Sequence, residues 1–88
     1  MEFDWNPAKS ERSVAERGFS FEFATMIFTG EIIERDVSRE GDGEVRKQAI
    51  GLIAGRLFAV VYTDRGDVRR IISARRANTK ERRLWDAR

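Results

Sequence analysis

The chain has no cysteine and no histidine. The first absence excludes disulfides and thiolate chemistry. The second removes the usual zinc ligand, the Ser-His and Cys-His nucleophile pairs and the usual general base. Proline occurs once, as Pro7. No apolar run approaches the roughly 20 residues that a membrane span needs. There is no internal repeat, no low-complexity tract and no linker. The amino terminus, Met1-Glu2-Phe3-Asp4-Trp5, is acidic and aromatic, unlike a signal peptide. The expectation is a cytoplasmic protein that makes no membrane contact.

What is there is a charged, arginine-rich chain of 88 residues, read as a single domain over 1–88. A domain this small buries only about 60% of the surface of its unfolded chain and often leans on a partner. Residues 1–44 hold 11 acids against 5 bases, and residues 45–88 hold 12 bases against 4 acids. Segregation of this kind points to a polyanion or to an acidic partner for the second half. Of the 17 basic residues 14 are arginine, the side chain that binds phosphate in a planar, bidentate way at any working pH. A solvated surface from an arginine-rich genome is the plainer reading of the same numbers.

Local signals predict an α+β domain with helices packed on an antiparallel sheet. Phe3-Asp4-Trp5 reads as a short first strand. Asn6 can cap a helix over about 7–17, with Pro7 in its first turn and Gly18 as its stop. The apolar face of that helix is thin: Ala8, Val14 and Ala15. Ser20 can cap a second helix that Gly30 closes, with Phe21, Ala24, Ile27 and Phe28 on one face. Strands are predicted over 31–37, 45–53, 56–63 and 68–74, with a loop at 38–44. Ala54-Gly55 and Asp64-Arg65-Gly66 form the two tight turns, which force antiparallel neighbours. Leu57 to Tyr62 is apolar on both faces and is predicted to be the central strand. Asn78 and Glu81 have the spacing of a capping box for a last helix reaching about Ala87.

The densest basic segment, Arg69-Arg70-Ile71-Ile72-Ser73-Ala74-Arg75-Arg76, runs along the last strand. Strict alternation sends Arg69, Ile71, Ser73 and Arg75 one way and Arg70, Ile72, Ala74 and Arg76 the other. Near the strand end Arg75 and Arg76 can join Lys80, Arg82 and Arg83 in a cationic notch for a phosphate backbone, extended by Arg46 and Arg56 on neighbouring strands. An edge strand kept soluble by charge is the alternative. Glu81 either completes the cap alone or also serves as a general base. Ser73 lacks a histidine to activate it, and no carboxylate cluster suggests a metal. Cleavage of RNA by its own 2′-hydroxyl needs only orientation and positive charge from the protein, and this composition is compatible with that chemistry.

The chain resembles the BrnT family of type II toxins. The resemblance runs through Phe3-Asp4-Trp5-Asn6-Pro7-Ala8-Lys9, Gly18-Phe19-Ser20-Phe21-Glu22, Arg46 to Gly51, Gly55 to Thr63, Ile71-Ile72-Ser73-Ala74-Arg75-Arg76-Ala77 and Lys80-Glu81-Arg82. It implies a RelE-like fold, and a ribonuclease that arrests translation by cutting RNA; with the composition above, the expectation is cleavage without a metal or other cofactor. It also implies a BrnA-like antitoxin in a heterotetramer of two toxins and two antitoxins, with DNA touched only through the antitoxin. By position it implies Arg46, Ser73, Arg75, Arg76 and Glu81 as active-site residues. Arg56, Arg70, Lys80, Arg82 and Arg83 are the expected RNA contacts. One departure stands out. The family usually ends its first helix in Lys-His-Gly, whereas this chain has Glu16-Arg17-Gly18. That change leaves open a second reading, a module that binds RNA or antitoxin without cutting.

Overall fold

A computed structural model describes residues 1–88. The chain forms β1 (Glu2–Trp5), α1 (Pro7–Arg17), α2 (Phe21–Ala24) and a 3₁₀ turn (Thr25–Thr29). It continues with β2 (Ile32–Asp36), β3 (Lys47–Ile53), β4 (Arg56–Arg65), β5 (Val68–Arg76) and α3 (Thr79–Asp86). The caps are those the sequence predicts. Asn6 Oδ1 accepts from the N–H groups of Ala8 and Lys9, and Ser20 Oγ from that of Phe23. Gly18 ends α1 at φ +85°, in the left-handed region. No helix is long and apolar enough to cross a membrane.

The second helical segment tightens half-way. Phe21, Ala24 and Ile27 are buried at intervals of three, which is the period of a 3₁₀ helix rather than of an α-helix. The hydroxyls of Thr25 and Thr29 donate back to the carbonyls of Glu22 and Met26 and hold the tight winding. In α1 the expected apolar face is absent from the core. Ala8, Val14 and Ala15 are exposed, and the buried residues are Ser10 and Ser13. Ser10 Oγ accepts from the N–H of Phe21 at 2.9 Å, and Ser13 Oγ donates to the carbonyl of Phe19 at 2.7 Å. Hydroxyl bonds to the following turn seat α1.

The five strands lie in the order β1-β5-β4-β3-β2. The two-sided apolar strand β4 is central, as predicted. Strands β2 to β5 are antiparallel to their neighbours, whereas β1 pairs with β5 in parallel. The sheet is therefore mixed, not antiparallel throughout. Short turns constrain only consecutive strands. The helices carry the chain from β1 to the far edge of the sheet, and loop length says nothing about how β1 meets β5. The strand β4 runs on to Arg65, so its turn to β5 is Gly66-Asp67, one step later than predicted, with Gly66 at φ +60°.

One face of the sheet carries α2 and the 3₁₀ turn. There Phe21, Ala24 and Ile27 pack with Ala49, Ile53, Phe58, Val60, Tyr62, Ile71 and Ala74. The opposite face carries α3, whose Trp85 packs on Ile50 and Leu57. The two layers meet β5 through an irregularity. Val61 pairs with Ser73 and Tyr62 with Ile71, leaving Ile72 as an extra residue. This β-bulge resets the alternation. Ile71 and Ala74, which strict alternation places on opposite faces, are both buried in the same core.

Candidate functional site

On the α3 face, strand register lays side chains in rows. Arg35 pairs with Gln48, Gln48 with Val61, and Val61 with Ser73. The next row is Ile33, Ile50, Ala59 and Arg75. Strands lie about 4.8 Å apart, so the first row spans about 14 Å. Trp85 of α3 roofs the apolar part of this surface, and the first turn of α3 ends over the junction of the two rows. The bulge at Ile72 brings Ser73 and Arg75 to this face while Ile71 and Ala74 remain in the core.

Glu81 holds that junction. Its Oε1 accepts from Arg75 Nη1 at 2.7 Å and from the Asn78 N–H at 2.9 Å. Its Oε2 accepts from Arg75 Nη2 at 2.7 Å and from Gln48 Nε2 at 3.1 Å. Asn78 Oδ1 accepts in return from the Glu81 N–H at 2.9 Å, so the capping box is complete. Glu81 is only 3% exposed. The bidentate Arg75 guanidinium, helped by Asn78 and Gln48 and opposed by burial, holds the Glu81 carboxyl down at about 2. The same pair raises Arg75 above the ordinary arginine value. A carboxylate so acidic and so fully bonded is a poor proton acceptor and a firm anchor for a guanidinium. Arg35 extends the chain of bonds by donating from Nε to Gln48 Oε1 at 3.1 Å.

Beside this network lies a hollow of about 400 Å³, lined by Lys9, Arg39, Arg46, Val61, Ile72 and Ser73 among others. Arg46 leads into β3 from a loop closed at its base: the Val37 N–H donates to the Arg46 carbonyl and the Arg46 N–H to Ser38 Oγ, both at 2.8 Å. The Arg46 Nε is buried with no hydrogen-bond acceptor. Its nearest carboxylate, Asp42, stands 3.9 Å away. A buried charged donor without an acceptor is costly, and the Asp42 carboxylate offsets that cost only through its charge. A smaller groove continues past Lys9 and Arg46 to Arg70, which pairs with Asp4 at 3.3 Å.

The structure places Arg46 and Ser73 on one hollow, with Arg70 on the groove that continues it, and joins Arg75 to Glu81 in a separate network on the same face of the sheet. It separates Arg56 and Arg76, which lie on the other side of the sheet with Phe58. Lys80, Arg82 and Arg83 are exposed on α3. The single cationic notch expected at the strand end is therefore divided, because Arg75 and Arg76 keep opposite faces. The reading above missed Arg35, Gln48, Arg39 and Lys9. Gln48, a lone polar residue beside the apolar run Ala49-Ile50, is a sequence signal for a buried polar junction. Lys9 has none, since only the tertiary fold carries α1 to Ser73. Arg69, central to the basic segment, is occupied elsewhere. It pairs with Asp64 at 2.7 Å and stacks over Phe28 and Tyr62, while the Tyr62 hydroxyl donates to Glu34 at 2.7 Å.

A family model described as the ribonuclease toxin, BrnT, of type II toxin-antitoxin systems matches residues 5–81. The chain belongs to the BrnT family. The match runs from the end of β1 to Glu81 in the first turn of α3, and so takes in Lys9, Arg46, Gln48, Ser73, Arg75 and Glu81 but not Arg82, Arg83 or Trp85. No curated protein matches the chain. BrnT membership makes ribonuclease activity the chemistry against which the arginine-lined face is to be judged. As a toxin of a type II system, it also implies an antitoxin partner.

Proposed function

We propose that this chain is a cytoplasmic ribonuclease toxin that cuts RNA on the α3 face of its sheet without a metal. The observation that carries the reading is the Arg75–Glu81 pair set beside Ser73 and the acceptor-free Arg46, in a chain of this family. An RNA strand lies along the hollow, its phosphates taken by Lys9, Arg39 and Arg46, with Arg70 beyond. The 2′-hydroxyl gives up its proton to solvent and attacks the adjacent phosphate. The P–O5′ bond breaks to leave a 2′,3′-cyclic phosphate, and the departing 5′-oxygen takes a proton from solvent. Arg75 and Arg46 stabilise the negative charge that develops on the phosphorane. Glu81 is a positioning residue: it fixes Arg75 in one orientation before substrate arrives. Ser73 offers a hydroxyl to a phosphate oxygen. Lys80, Arg82 and Arg83 steer the strand from α3.

The partner in this reading is a BrnA-like antitoxin that covers the site in a complex of two toxins and two antitoxins, with DNA contacted through the antitoxin alone. A RelE-like ancestry fits the arrangement of sheet and helices. A second reading, binding without cutting, has one observation in its favour. Glu16 lines a groove with Lys9, Arg12 and Ser73, where its carboxylate opposes a phosphate.

The test is cleavage of RNA by the purified chain in the presence of chelator, with new ends mapped. Arg75→Ala and Arg46→Ala are each expected to lower the rate by about 100-fold or more, the scale of losing one charge-stabilising donor. Glu22→Ala, exposed on α2, is expected to stay at the wild-type rate. Tight binding with no cleavage by the folded wild-type chain would establish the second reading. Cleavage indifferent to Arg46 and Arg75 would sink the assignment of the site.

A further inference from the structure

The opposite face of the sheet has a hollow of its own, of about 300 Å³, which the proposed ribonuclease chemistry does not use. Three arginines from distant parts of the chain converge on it. Arg17 is the last residue of α1 and donates a long bond of 3.4 Å to the Ala74 carbonyl. Arg56 opens β4 just after the Ala54-Gly55 turn, and Arg76 closes β5. None of the three has a carboxylate within 4.0 Å, which is also true of Arg12, Arg35, Arg39, Arg82 and Arg83; the three differ in sharing one hollow. The rest of the lining is three phenylalanines, Phe19, Phe23 and Phe58, with Gly18, Ile53 and Ala54. Phe19 and Phe23 are half-buried and meet the ring of Phe58 edge-on, at centroid distances of 5.1 and 5.7 Å. The Arg76 guanidinium stands 5.5 Å from the centroid of Phe58.

Converging guanidiniums repel one another, and an oxyanion between them turns that repulsion into attraction. Half-buried phenyl rings offer a flat apolar surface in the same space. One ligand class presents both complements at this size: a phosphate attached to a planar base. Arginine suits it twice, since its planar fork pairs with phosphate and stacks on rings. The volume suits a small ligand. It lies at the lower limit of small-ligand pockets, whereas a standard protein interface needs about 800 Å² on each side.

We propose that this hollow binds a single nucleotide, its phosphate held by Arg17, Arg56 and Arg76 and its base laid against Phe19 and Phe23. The site lies across the sheet from Arg46 and Arg75 and does not rest on the cleavage reading. The nucleotide is either free or the phosphorylated end of an RNA chain.

Amide NMR on the isotope-labelled chain tests this. The probes are adenosine 5′-monophosphate, inorganic phosphate and a short RNA bearing a 5′-phosphate. The monophosphate is expected to shift the amides of Gly18, Phe19, Phe23 and Phe58. Arg56→Gln and Arg76→Gln, both at exposed positions, are expected to weaken it by about tenfold each. Inorganic phosphate is expected to bind at least about tenfold more weakly, because it lacks the stacking base. Shifts from the RNA at the same amides would assign the hollow to a chain end, and shifts from the monophosphate alone would assign it to a free nucleotide. Shifts confined to the surroundings of Arg46 and Ser73 would overturn the proposal. So would affinity unchanged in both glutamine variants, phosphate binding as tight as the nucleotide's, or displacement of the nucleotide only by an acidic peptide. A chain that fails to cut RNA yet shows the expected shifts would refute the ribonuclease reading and leave this one standing.

Discussion

Glu81 shows how one residue ties sequence to site. Its capping-box role is legible from Asn78 three positions earlier, and the structure completes the box. Its other two partners, Arg75 and Gln48, come from different strands, and no local pattern reveals that they meet. The pairing makes a pH prediction. In the unfolded chain the carboxyl titrates near the ordinary glutamate value of about 4.3. In the folded chain it is held down at about 2. The folded state therefore binds fewer protons, and the stabilisation is full above about pH 4.3 and is lost as pH falls towards 2. Glu81→Gln removes the charge but keeps much of the shape. The expected result is a thermal midpoint well below wild type at pH 7, with the gap narrowing steadily between about pH 5 and pH 2. A gap independent of pH would show that the ion pair contributes nothing beyond packing.

At the scale of elements, what was legible was what is local. The caps Asn6, Ser20 and Asn78, the stop at Gly18, the turn at Ala54-Gly55 and the central place of β4 all follow from a few adjacent residues. What was not legible depends on pairing across the sheet: the parallel docking of β1, and the bulge that sends Ile71 and Ala74 to one face. The second helical segment was half legible. Its spacing of three carried the 3₁₀ winding, but the same residues also satisfy a helical stripe. The Ala54-Gly55 turn has a stability consequence. Ala54 is at φ +51° and Gly55 at +78°, the sign pattern of a type I′ hairpin turn. Alanine there bears the cost of a left-handed backbone, which asparagine tolerates better. Ala54→Asn is expected to raise stability by about 0.5–1 kcal/mol in urea unfolding, with the slope of the transition unchanged. A fall in stability would mean that the Ala54 side chain contributes packing that outweighs its backbone strain.

At the scale of the whole molecule, the charge segregation read from the sequence does not map onto two halves of the fold. The acidic half supplies Lys9, Arg35 and Arg39 to the arginine-lined face, and the basic half supplies Arg46, Arg70 and Arg75. Composition pointed to a polyanion-binding surface and equally to a solvated one, and named the residues of neither. If Lys9, Arg39, Arg46 and Arg75 each hold a phosphate, the logarithm of RNA affinity is expected to fall with the logarithm of salt at a slope near −3, about −0.7 per contact. Arg46→Ala should flatten that slope by about one contact, measured by titration from about 50 to 200 mM salt. An unchanged slope would remove Arg46 from the phosphate path. The attachment of α1 bears on the same face. The helix is held by two serine hydroxyls and the long Arg17–Ala74 bond and exposes its apolar side chains Ala8, Val14 and Ala15, so little hydrophobic free energy opposes its release. Segments with few buried apolar side chains open at a small fraction of the global unfolding free energy. The amides of α1 accordingly exchange with solvent long before those of β4, and each opening carries Lys9 away from Ser73 and Arg17 away from Arg76. One loosely moored helix thereby lends a wall to hollows on both sides of the sheet, and hydrogen exchange that is no faster in α1 than in β4 would show that it does not open separately.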